Sequence, residues 1–209
     1  MNGLHLLSTK AGWVGTAWGK QGLLVLTFPR PSREEALTAL QDEPMPVRIN
    51  ETSEPAVKRW PLILEERLNH YFQGRPVSFA DIPVDLSWCT PFVARVLDFV
   101  RRIGYGELWS YQQVAAAVGN PRAARAVGGA LGANRVPLVI PCHRVIRQDG
   151  SPGGFSGGLP LKLQLLQLEG IRPGPTGRYQ LTNGPTCVNI SNAPVSQVRQ
   201  QKSAGVAQG

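Results

Sequence analysis

The sequence predicts an α+β protein: a small amino-terminal α/β domain over residues 1–87, then a mainly helical unit over residues 88–170 that contains a helix-turn-helix. Three observations carry this. Strand-like runs come early, helix periods with capping residues follow one another after residue 90, and the charge balance shifts between the two parts. Residues 171–209 are expected to form a basic tail, largely disordered.

Residues 13–28, WVGTAWGKQGLLVLTF, place β-prone stretches on either side of Gly19-Lys20-Gln21-Gly22, the pattern of a hairpin. Ser32 with Glu35 has capping-box spacing and predicts a helix over about 33–41, broken by Pro44 and Pro46. In AVKRWPLILEERLNHYF, Leu62, Leu64, Leu68 and Phe72 mark a helix that covers the sheet and stops at Gly74. Residues 76–88 read as an extended connector, and the domain boundary is placed there.

Phe92, Val96, Phe99, Val100 and Ile103 recur at intervals of three and four, so residues 91–103 form a core-facing helix ended by Gly104 and Gly106. Ser110 caps the next helix, with Gln113 reaching back, and YQQVAAAV runs to Gly119. Asn120 as N-cap and Pro121 at the first helical position predict an immediate third helix over RAARAVGGALGA. Two short helices joined by Gly-Asn have helix-turn-helix form, although spacing alone also fits a plain helical hairpin.

Composition narrows the function. The net charge is +8. Residues 1–87 are nearly balanced, whereas residues 88–170 carry nine Lys and Arg against four Asp and Glu, which suits a polyanionic partner. Arg122 and Arg125, three apart among Ala and Gly, give a smooth surface with positive charge, better suited to DNA than to a core. Cys89, Cys142 and Cys187 are odd in number without CxxC spacing, so no disulfide framework or zinc cluster is expected and the chain is read as intracellular. The opening residues lack a signal-peptide core, no apolar run is long enough to span a membrane, and no membrane partner is expected.

The apolar run VPLVI, residues 136–140, reads as a short strand leading into Pro141-Cys142-His143-Arg144-Val145. A cysteine in such a place is ordinarily a buried small hydrophobe, but His143 supplies a base and Arg144 a positive charge, both of which favour a nucleophilic thiolate. On an extended chain neighbouring side chains point apart, so His143 would reach the sulfur through a turn or a bridging water.

IPCHRV, with SYQQVA and AARAVG upstream and GGFSGGLPLKLQLLQLEG downstream, resembles the methylated-DNA protein-cysteine methyltransferases over roughly residues 90–170. The resemblance implies a ribonuclease H-like amino-terminal domain and a DNA-repair activity. The alkyl group of O6-alkylguanine, and of O4-alkylthymine, would pass irreversibly to Cys142 in one turnover. It further implies that His143 is the base acting through a water, that Glu169 orients His143, and that Asn134 braces the turn before the reactive segment.

By the same resemblance Tyr111 helps rotate the damaged nucleotide and donates a hydrogen bond to the guanine ring, and Arg125 fills the gap left by the flipped base. Val145 and Ser156 hold that base, and Gln112, Asn120 and Gln148 contact the DNA backbone. The implied partner is double-stranded DNA with alkylated bases, bound by a monomer without cofactor or metal; the implied compartment is the cytoplasm of a prokaryote or the nucleus of a eukaryote. Three positions depart from the family pattern: Arg135 and Gly104 where Pro is common, and Phe155 where Tyr is frequent. Rival readings are a noncatalytic lesion binder, which would lack the acceptor cysteine, a cysteine hydrolase, and a helix-turn-helix regulator.

Overall fold

The structure, a computed structural model, describes residues 3–43 and 55–182. Pro44 and Pro46, read above as helix breakers, and the tail from residue 183, including Cys187, lie outside the described residues.

Three antiparallel strands form the first sheet in the order β1 (Leu4–Thr9), β2 (Gly12–Gly19) and β3 (Gly22–Leu26). The expected hairpin is β2 and β3, turned at Gly22, whose φ of 143° only glycine adopts readily and whose Cβ would lie 2.4 Å from the Pro83 carbonyl oxygen. β1 was not anticipated. Helix α1 (Arg33–Gln41) begins where Ser32 accepts from the Glu35 amide, as its spacing predicts, and packs on β2 through Ala36 and Leu40. Helix α2 (Pro55–Tyr71) lies along β1, pinned by Glu65 on the Ser8 amide and by Asn69 on Ser8 and Lys10.

Leu64, Leu68 and Tyr71 form the buried stripe of α2, whereas Leu62 is 67% exposed. Leu62 sits two residues from Leu64, on the far side of the helix. The connector runs along β3, with the Leu23 amide donating to Pro83 and the Asp85 amide to Leu23. Phe79 and Ile82 fill the core beneath it.

Helix α3 (Pro91–Val100) is capped by Thr90, and its last three expected residues form a turn instead. A two-residue strand β4 (Trp109–Ser110) leads into α4 (Tyr111–Ala117), where the capping box of Ser110 and Gln113 is present in full. Helix α5 (Ala124–Gly132) starts four residues after Asn120, not at it. Asn120 to Ala123 form a turn closed by the Ala123 amide on the Asn120 carbonyl, and no side chain caps α5. Proline fixes its own φ, but a single turn satisfies that as well as a helix does.

Residues 136–140 are buried but not a strand. Leu138 has φ 71°, and the Ile140 amide returns to the Val136 carbonyl, so a compact turn replaces the extended run. A 3-10 turn over Cys142–Arg144 follows, then β5 (Val145–Ile146), which pairs in parallel with β4, and α6 (Leu159–Leu168). One apolar cluster runs from Trp18 and Leu23 of the sheet through Leu64, Leu68 and Tyr71 to Val96, Val100, Val127, Ile140 and Val145. Beyond α6 the chain remains attached: the Tyr179 amide donates to Gly150 and the Thr182 amide to Leu108. No strand forms over residues 178–181.

Candidate active site

The 3-10 turn decides the geometry around the sulfur. It turns Cys142 and His143 in different directions, with Cys142 at the floor of a cavity of about 290 Å³ and His143 buried behind it. Tyr111, Gly128, Leu131, Gly154, Phe155 and Ser156 line the same cavity. Asn134 fixes the approach: its amide nitrogen donates to the Ile140 carbonyl at 2.9 Å and to Cys142 Sγ at 3.1 Å, while its oxygen accepts from the Val136 amide at 3.0 Å. The edge of β3 clamps this hinge, since the Leu26 amide donates to the Arg135 carbonyl at 2.8 Å.

Burial pushes the Cys142 thiol up, and the Asn134 hydrogen bond and the nearby Lys162 charge only partly oppose it. The resting sulfur is therefore a thiol, and it would have to lose its proton to act as a nucleophile. Behind the sulfur, His143 Nε2 lies 2.7 Å from Glu169 Oε1. Burial holds the imidazole below its usual range, against the raising effect of Glu169, so it is neutral and can accept a proton. With Nε2–H committed to Glu169, Nδ1 is the accepting nitrogen, and it has no protein partner among the described residues.

Glu169 is the most heavily hydrogen-bonded side chain among the described residues. Arg144 Nε donates to Oε2 and Nη2 to Oε1, both at 2.9 Å, Tyr71 donates to Oε1 at 2.7 Å, and the Gly106 amide to Oε2 at 3.2 Å. Burial alone would raise its carboxyl, but the hydrogen bonds from His143 and Arg144 and the Arg144 charge outweigh that and bring it to about 2. Lys162, fully buried, donates to the Val145 carbonyl at 2.7 Å; burial lowers it to about 8.

Tyr111 leans over the cavity, its hydroxyl 3.4 Å from the Gly154 carbonyl. Gly153 is required beneath it: at φ 72°, an added Cβ would come within 3.0 Å of that hydroxyl. Val145 is buried in β5 with its carbonyl engaged by Lys162, and Ser156 is exposed at the cavity rim. Gln112, Asn120, Arg125 and Gln148 are exposed and do not line the cavity. Arg125 is the second residue of α5, but Arg122 lies in the preceding turn, so the two do not share one helix face as expected. The outer face of α5 is smooth, since a Cβ added at Gly129 or Gly132 would meet nothing within 4 Å.

The model of the 6-O-methylguanine DNA methyltransferase DNA-binding domain matches residues 91–171. A methylated-DNA–protein-cysteine methyltransferase of Methanothermobacter thermautotrophicus is 37% identical over 160 residues, covering 76% of this chain and 80% of that protein. The chain belongs to the methylated-DNA–protein-cysteine methyltransferase family. The human methylated-DNA–protein-cysteine methyltransferase is 45% identical over 116 residues, which is 56% of its length. The crystal structure of Mycobacterium tuberculosis OGT in complex with DNA shares 33% identity, covers 80% of this chain and 92% of that one, and superposes with a TM-score of 0.62.

The departures from the family pattern have local partners. Gly104 donates its amide to Glu107 at 3.0 Å, a bond that proline could not make, and the Arg135 guanidinium lies 4.3 Å from the Trp88 ring centroid. Phe155 stacks edge-on with Phe28 and faces His143. Sequence reasoning missed Tyr71 and Lys162 as site residues and gave Arg144 only a general electrostatic role. Arg144 stands in the PCHRV motif, so its pairing with a buried carboxylate was open to inference. Tyr71 is indistinguishable from a core residue by its spacing, and Lys162 from a solvated lysine.

Proposed function

We propose that this methyltransferase-family chain repairs alkylated DNA by direct reversal, moving the alkyl group of O6-alkylguanine, and of O4-alkylthymine, to Cys142 in a single turnover. The observation that carries this reading is a buried sulfur at the floor of an open cavity, with a base oriented by a carboxylate behind it. The Cys142 proton passes through a bridging water to His143 Nδ1, and the imidazolium formed is stabilised by Glu169. The sulfur electron pair forms the new bond to the alkyl carbon while the carbon–O6 bond breaks, leaving its electrons on the guanine. Tyr111 donates a hydrogen bond to the guanine ring as that charge develops; burial raises its hydroxyl pKa, so it keeps its proton.

Guanine O6 is out of reach within the base stack, so the nucleotide must be flipped into the cavity. Arg125 enters the duplex in its place, and the bare face of α5 lets the backbone approach. Val145 and Ser156 hold the extruded base, Gln112, Asn120 and Gln148 contact the strand, and Asn134 braces the hinge. Residues 1–87 form a supporting domain and 88–170 the alkyltransferase domain, joined near residue 88, with a basic tail from residue 171. The protein acts as a monomer inside the cell, in the cytoplasm of a prokaryote or the nucleus of a eukaryote. Among the described residues no helix is long and apolar enough to cross a membrane.

Duplex DNA with radiolabelled O6-methylguanine tests the activity: one equivalent of label should move to the protein and stay there. Label that remains on DNA, or is released with repeated turnover, refutes it. Arg125→Ala should slow transfer from duplex DNA about 10-fold or more, because unstacking costs a few kcal/mol, yet spare a single-stranded oligonucleotide. Equal slowing on both substrates would remove Arg125 from base flipping. Alkylation adds bulk where Asn134 packs on the sulfur, so the reacted protein should melt a few degrees lower, as about 1 kcal/mol of overpacking predicts. Calorimetry before and after reaction checks this.

A further inference from the structure

The Glu169 carboxylate that orients His143 takes one of its donors from the amino-terminal half of the chain. Tyr71, the last residue of α2, is 1% exposed, and its hydroxyl reaches Glu169 Oε1 at 2.7 Å across 98 positions of sequence. Oε1 is also the oxygen that faces His143 Nε2, and the Tyr71 hydroxyl lies 3.4 Å from that nitrogen. A tyrosine at a helix end ordinarily sends its hydroxyl to water. Here the ring is held edge-on by Phe72, Phe79 and Tyr105 at centroid distances of 5.4, 6.0 and 6.1 Å, and the hydroxyl points inward.

Burial and the Glu169 charge both raise the Tyr71 hydroxyl far above its usual range, so it is a permanent donor. Tyr105 ties the two halves together: its one hydroxyl proton is shared between the Gly74 carbonyl at 3.0 Å, just past α2, and the Leu168 carbonyl at 2.9 Å, next to Glu169. We propose that Tyr71 is a positioning residue for alkyl transfer, holding Glu169 Oε1 and the Nε2–H tautomer of His143, so that the reactive centre is assembled from both halves of the chain. The proposal rests on the reading of Cys142 and His143 as acceptor and base. Phenylalanine would fill the same core space, so packing alone does not account for the hydroxyl.

The charged and titratable groups facing this cluster are Arg144 and Cys142 on the 3-10 turn, Glu169 and Lys162 from α6 and its end, and Tyr105 from the loop after α3. Losing the Tyr71 donor concentrates negative charge on Oε1, which strengthens the partner of a protonated His143. The imidazole should then titrate at higher pH, and the acid limb of the rate profile should move with it.

The test uses the full chain with Tyr71→Phe and two readouts, single-turnover methyl transfer against pH and NMR titration of the His143 ring nitrogens. The expected result is about 10-fold slower transfer at neutral pH, because Glu169 and the His143 ring are no longer held in place and this loss of alignment outweighs the gain in basicity. The acid limb and the His143 titration should both rise by about half a pH unit or more. Affinity for DNA should not change. Tyr105→Phe serves as control: it loses the hydroxyl proton shared by two backbone carbonyls and should lower thermal stability without moving the His143 titration. A Tyr71→Phe protein whose His143 titrates as in the parent, whether or not its rate or stability falls, overturns the proposal. Because the NMR titration needs no alkyl transfer, an inactive parent protein would refute the repair function without deciding the role of Tyr71.

Discussion

The Cys142→Ser protein should bind lesion-bearing duplex DNA as tightly as the parent and transfer no detectable methyl group. Serine nearly matches cysteine in size and still offers an acceptor, so Asn134 keeps its three hydrogen bonds, to Ile140, Val136 and position 142. Chemistry separates the two. A hydroxyl is far harder to ionise than a thiol and a weaker nucleophile towards an alkyl carbon, and His143 is not basic enough to make up the difference. Gel-shift titration and label transfer on the same preparation check both halves of this result. Weak binding by the serine variant would mean that the sulfur holds the pocket together, whereas residual transfer would mean that another group accepts the alkyl.

The second large effect is expected at Glu169. Glu169→Gln removes the charge that neutralises Arg144 and leaves the guanidinium in the interior facing only neutral partners, such as the Ile103 carbonyl and the new carboxamide. Breaking a buried ion pair by removing one member costs about 3–5 kcal/mol. Alkyl transfer should also slow by about 10²–10³-fold, as loss of an oriented general base implies. Chemical denaturation and single-turnover kinetics measure the two losses separately.

The same residue sets an acid-pH signature. Its folded carboxyl is depressed to about 2 from an ordinary 4.5, so its stabilisation is fully present above about pH 5 and is lost as pH falls through about 2. The shift corresponds to roughly 3 kcal/mol. In Glu169→Gln the fall in stability between pH 5 and 2 should therefore be shallower than in the parent. An identical pH slope would mean that the carboxylate is not held as the structure places it.

Features set by nearby residues were legible in the sequence. The caps at Ser32 and Ser110, the hairpin of β2 and β3, and the start of α3 depend on side chains within a few positions of the backbone they satisfy. The errors arose where a local pattern has two solutions. Asn120-Pro121 suits a turn as well as a helix start, and the β-branched run at 136–140 is apolar because it is buried, not because it is extended. β1 escaped notice because LHLLST does not alternate cleanly.

In the site, the motif around Cys142 pointed to Cys142 and His143, and the family resemblance pointed to Glu169, Asn134 and Tyr111, all of which the fold brings around one cavity or its buried rear wall. The rest required folding to bring distant residues together. Nothing near Tyr71 signals a carboxylate 98 positions away, and Lys162 looks like a solvated lysine until α6 is packed against Val145. The exposed positions Gln112, Asn120 and Gln148 gain no further support from the geometry, because surface polar groups without a bound strand look alike.

Peptide mapping by mass spectrometry tests the central claim most directly, after the protein has reacted with one equivalent of methylated duplex. The added methyl group should lie on the peptide containing Cys142, at near-stoichiometric yield, and be absent from those containing Cys89 and Cys187. A methyl group on another residue, or an unmodified protein beside repaired DNA, would contradict the account.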